Sequence, residues 1–96
     1  MKADVVGRFI LVNIVETPYE IDNNKGIAVK LGLKQDKELF DVKCTKQLAE
    51  EIVKNRPTYD TFMYSPVDVA LNITAYAEKL ADRAKATSLK QVKLNK

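Results

Sequence analysis

The sequence predicts a mostly β domain of the α+β kind: a five-stranded barrel with one short helix between its third and fourth strands. Three patterns predict it. Between Ile27 and Cys44, Ile27, Val29, Leu31 and Leu33, then Phe40, Val42 and Cys44, alternate with Ala28, Lys30, Gly32, Lys34, Asp41 and Lys43. A period of two sends each apolar set to one side of a strand and the lysines to the other. From Lys46 to Lys54 the apolar spacing changes to three and four. From Val67 to Tyr76 it returns to two, because Val67, Val69, Leu71, Ile73 and Ala75 alternate with Asp68, Ala70, Asn72, Thr74 and Tyr76.

A chain of 96 residues is read as one domain, 1–96, built on a single core. With 46% hydrophobic and 30% charged residues the composition is that of an ordinary globular chain. Without tryptophan and with only three phenylalanines, that core must be aliphatic.

The first strand is read over Arg8 to Glu16, where β-branched residues crowd and both faces look apolar, as in a strand covered on both sides. Thr17-Pro18-Tyr19-Glu20 is expected to stop it, and Asp22-Asn23-Asn24-Lys25-Gly26 is a turn cluster. Together they predict a loop of about ten residues, the kind of segment on which binding residues sit. Tyr19 and Lys25 are its candidates, with Tyr19 packed over the loop as the plainer role. The second and third strands form a hairpin across the polar Gln35-Asp36-Lys37-Glu38.

Thr45 is a helix cap, and Leu48, Ala49, Ile52 and Val53 recur along one face, which predicts a helix from Lys46 to Lys54. Asn55-Arg56-Pro57 ends it, since a residue before proline is pushed out of the helical region. Thr58 to Ser65 is a connector whose Tyr59, Phe62 and Tyr64 either plug the open end of the barrel or stack on a base, with plugging favoured. The fourth strand is read from Val67 to Tyr76, followed by a partly helical loop and a last strand from Ala86 to Leu94. A single helix throughout this region is the alternative, because Ser65-Pro66-Val67-Asp68 is also a good helix start.

Composition narrows the chemistry. There is no histidine, so Ser/His and Cys/His nucleophile systems and Cys/His zinc sites cannot be assembled from this chain. The three glycines, Gly7, Gly26 and Gly32, are isolated and form no phosphate loop. The single cysteine, Cys44, falls on the apolar side of its strand and is read as a small buried hydrophobe. The expectation is a non-enzyme without metal or cofactor. Without a signal sequence or a membrane-length apolar run, a reducing, cytoplasmic setting is the simplest inference.

Net charge is only +3, but it is unevenly spread. After Asp82 the chain carries Arg83, Lys85, Lys90, Lys93 and Lys96 and no acid, which makes a basic C-terminal end. A long strand, a hairpin, one helix and two further strands is the element order of an OB barrel, whose hairpin face and two long loops bind single strands or oligosaccharides. On that order Lys30, Lys34 and Lys43 stand on the outer face, and Tyr19 and Lys25 come from the first loop. Tyr76, Lys79, Arg83 and Lys85 come from the loop between the last strands.

In element order, size and basic outer face the chain resembles the small OB-fold single-stranded-DNA-binding proteins of bacteriophages and mobile elements. It departs from them where Lys30, Lys34, Asp41 and Lys43 replace outer-face aromatics. The resemblance implies a non-catalytic binder of single-stranded nucleic acid, DNA favoured over RNA, acting in replication or transfer. Homodimerisation and a larger replication partner remain open, and no membrane is expected. The competing reading is an accessory protein-interaction module without nucleic-acid affinity, motivated by Leu39 and Leu89 at or near the surface. A third is a helical regulator in which Pro66 to Gln91 is one long helix.

Overall fold

The apolar run Ile10-Leu11-Val12-Asn13-Ile14-Val15 does not alternate because it holds a β-bulge. The computed structural model describes residues 2–74 and 85–92, with side chains described over 6–72 and 85–92. In it β1 (Lys2–Ile21) pairs antiparallel with β2 (Asn24–Gln35), and the register shifts between Leu11 and Asn13. An extra residue resets the alternation, so Phe9, Leu11 and Ile14 all turn inward. Gly32 lies opposite Asn13, where a Cβ would stand 2.9 Å from the Asn13 Cβ. The run is therefore two alternating strands spliced together, and not a strand covered on both sides. Val6 and Val15 remain 67% and 42% exposed, because a closed barrel covers only the inner face of each strand.

Around the barrel the order is β1-β2-β3-β5-β4, closing back on β1. Neighbours are antiparallel except β3 (Glu38–Cys44) and β5 (Lys85–Gln91), which meet in parallel at Lys43↔Lys85 and Cys44↔Ala86. With α1 (Lys46–Lys54) between β3 and β4 (Pro66–Thr74), this is the OB-like barrel that the element order predicts. Leu11, Leu31, Leu33, Val67 and Val69 fill the interior.

The helix keeps its predicted bounds. The Thr45 hydroxyl accepts a hydrogen bond from the Leu48 N–H at 3.3 Å, and Leu48, Ala49 and Ile52 are buried against the barrel. At Asn55 the chain leaves the helical region, with φ −118°. It then re-enters a short second helix, α2 (Arg56–Asp60), which the connector reading did not anticipate. Pro57 sits in its first turn, where a missing N–H costs nothing. Tyr59 and Phe62 pack edge to face with ring centres 5.4 Å apart and lie against the core, as plugging requires. Tyr64, by contrast, is 76% exposed, on a left-handed backbone of φ 61°.

β4 and β5 are extended, which excludes one long helix over Pro66 to Gln91. A register shift between Ala70 and Leu71 lets Ala86 and Leu89, three apart, both face inward. Leu89 is thus a core residue and not the surface residue expected. The predicted partly helical loop, and the far ends of the last two predicted strands, lie outside the described residues.

The predicted ten-residue loop does not exist as a loop. β1 runs on through Pro18 to Ile21, turns at Asp22 and Asn23 with φ 50° and 67°, and returns as β2 from Asn24. Two consecutive left-handed residues make the type I′ turn that suits a hairpin. Pro18 does not stop the strand because here β1 is paired with β2 alone among the described residues, so it has an open side. Arg56 clamps the base of this ribbon. Its guanidinium donates to the Glu16 carboxylate, to the Ile14 carbonyl at 3.3 Å and to Asp60 at 2.7 Å. Hydrogen bonds to Asp60 and then Glu16 push its pKa further up, so the clamp stays charged.

Candidate functional site

Strand parity decides which candidate residues meet. On β2, Val29, Leu31 and Leu33 are buried, so Lys30 and Lys34 point out. On β3, Val42 is buried and Lys43 points out, directly opposite Lys30. On β5, Ala86 is buried and Lys85 points out, directly opposite Lys43. Lys30, Lys43 and Lys85 therefore form one rung across three adjacent strands, with neighbouring Cβ atoms spaced by about 5 Å. Among the described ion pairs, none involves any of these lysines. Lys34 lies two positions beyond Gly32 on the same face, and Asp41, opposite Gly32, is the acid set among these cations.

Tyr19 joins this face. It pairs with Gly26, which shares the parity of Lys30, so its ring lies on the lysine side about 13 Å along the ribbon. The ring covers Gly26 closely: an added Cβ would stand 2.5 Å from the Tyr19 Cζ. Gly26 thus lets the tyrosine lie flat on the ribbon, and the ring remains 37% exposed.

Lys25 does not join it. It pairs with Glu20 on the opposite face of the ribbon. With Glu20 and Asp22 against Lys25, the ribbon tip carries a net negative charge. Tyr76, Lys79 and Arg83 lie outside the described residues. Sequence reading missed the Arg56 to Glu16 clamp and the Arg8 to Asp68 ion pair at 3.1 Å, both of which join residues far apart in the chain.

The only cysteine, Cys44, is partly buried and unpaired. Burial pushes the Cys44 thiol from about 9 up to about 12. A thiol whose pKa rises on folding contributes stability that is fully present below the unfolded pKa, near 9, and is lost as pH climbs towards 12. Iodoacetamide at pH 8 should therefore alkylate the folded protein at least about tenfold more slowly than the urea-unfolded chain. Equal rates would show that the thiol is open. No group of three or more Cys, Asp or Glu residues is placed to hold a metal ion among the described residues. Comparison with protein-family models, curated proteins and solved structures gave no match, so the barrel itself is the likeness that can be stated.

Proposed function

We propose that the outer face of β2 and β3, continued onto Lys85, binds single-stranded nucleic acid without catalysing a reaction. The observation that carries this reading is the lysine rung. Like charges directly opposite each other in a sheet are destabilising, and a phosphate backbone laid across the rung offsets that cost while releasing counterions. Tyr19 on the same face supplies a ring on which a base can stack, and stacking is tolerant of sequence. DNA is favoured over RNA, and a role in replication or transfer of a phage or mobile element follows from the family resemblance alone. Leu39, 70% exposed opposite Lys34, favours the competing reading of a protein-docking module.

Fluorescence anisotropy with labelled dT and rU oligomers at two salt concentrations separates the two. The nucleic-acid reading expects binding that weakens steeply as salt rises. Tyr19→Ala should lower affinity by about 1 to 3 kcal/mol per stacked base, while Tyr19→Phe keeps it. Absence of binding even at low ionic strength discards this reading and leaves the docking module.

A further inference from the structure

The backbone does not explain the glycine at position 26. Gly26 lies inside β2, and no described glycine has a left-handed φ, so residues of any type could adopt its conformation. A glycine within a strand is destabilising, because it loses more chain freedom on folding and brings no side chain to pack. What it provides is room. The three atoms nearest to a Cβ built there are the hydroxyl oxygen, Cζ and Cε2 of Tyr19, the last at 2.9 Å. They are the far end of a side chain that can swing aside. An added methyl group therefore displaces the ring and leaves the pairing of β1 with β2 in place.

The pose of that ring has a chemical consequence. Lying across the ribbon, Tyr19 covers Gly26 with one π-face and turns the other to solvent, on the side where Lys30 points out. An open π-face accepts the face of a base, which a single strand offers and a duplex keeps covered within its stack. Lysines make no such distinction, since their attraction to phosphate acts on single strands and duplexes alike. A ring held flat in advance also loses little rotamer freedom when a base arrives.

We propose that Gly26 is a positioning residue which, by fixing the pose of Tyr19, makes that ring the determinant of selectivity for single strands over duplexes. This inference rests on the nucleic-acid reading of the lysine face and deepens it. The rung attracts any phosphate backbone, and the pair of Gly26 and Tyr19 chooses a strand whose bases are unpaired. Because glycine is needed at position 26 for the ring and not for the backbone, its replacement separates selectivity from folding.

The test compares Gly26→Ala with the parent by fluorescence anisotropy, using a labelled dT oligomer and a labelled duplex of equal length at one low salt concentration, and by urea unfolding. Affinity for the dT oligomer should fall about fivefold or more, the loss for one stacked base, while duplex affinity is unchanged. The unfolding midpoint should stay the same or rise, because a strand glycine has been removed. Tyr19→Ala should show the same loss, and adding Gly26→Ala to it should lower affinity no further. Lys30→Ala, by contrast, should weaken binding of both ligands. In the parent, the ring current of Tyr19 should shift the Gly26 Hα resonances upfield, and Tyr19→Ala should abolish that shift. Unshifted Hα resonances overturn the proposal. If the parent binds the dT oligomer and Gly26→Ala leaves the ratio of the two affinities unchanged, the proposal falls and the lysine face stands. A parent that does not bind the dT oligomer overturns both.

Discussion

Replacing Lys30, Lys43 and Lys85 together by alanine should lower affinity for a short dT oligomer by about two to three orders of magnitude near 50 mM salt. It should also flatten the dependence of log affinity on log salt by about 2, since each single-strand phosphate contact contributes about 0.7 to that slope. The three side chains form one rung, so on the proposed reading they would meet neighbouring phosphates of one strand and their losses would belong to one site. The same variant should fold at least as stably as the parent, because it removes like charges that stand directly opposite each other. This opposition of effects separates a binding rung from a structural one. Lys46→Ala with Lys54→Ala is the control, since both lysines are exposed on α1 and lie off the rung. An unchanged slope in the triple variant, or an equal loss in the control, would remove the face from consideration.

What could be read in advance was local. The helix emerged within its observed bounds because the cap at Thr45, the spacing of Leu48 and Ile52 and the stop at Pro57 all lie within a few turns of one another. Lys30, Lys34 and Lys43 were legible because alternation around buried Leu31, Leu33 and Val42 leaves them only the outer face. The same parity could have corrected Lys25, which shares the phase of Ile27 and Val29 and so stands across the ribbon from Lys30. Reading Pro18 and Asp22 to Gly26 as a loop hides that parity. Turn residues look alike whether they cap a long loop or a tight hairpin, and only strand pairing distinguishes the two.

The bulges were not legible, because an extra residue is defined by the strand opposite it. Without the bulge in β1, Ile14 could not be told from an outer-face residue. Without the one between β4 and β5, Leu89 looked exposed when it is buried. The place of Lys85 beside Lys43 likewise depends on a parallel contact between distant segments, for which local sequence carries no sign. The candidate face was therefore half visible: two of its three rung lysines follow from alternation, and the third required the closed barrel.

Ile52→Ala should destabilise the fold by about 2 to 5 kcal/mol, a large share of the 5 to 15 kcal/mol typical of a small domain. Ile52 is fully buried in the cluster that α1 shares with the barrel interior, so truncation removes apolar contact and leaves a cavity that rigid strands cannot close. Ile52→Val should cost only about 0.5 to 1.5 kcal/mol, and Glu51→Ala, one residue away on the exposed side, within about 0.5 kcal/mol. Urea unfolding followed by circular dichroism reads all three. The ordering matters more than any single value. If the helix is an integral stopper of the barrel, cost must follow the volume lost from its inward face. A loss below about 1 kcal/mol for Ile52→Ala would mean that α1 rests on a barrel already stable without it.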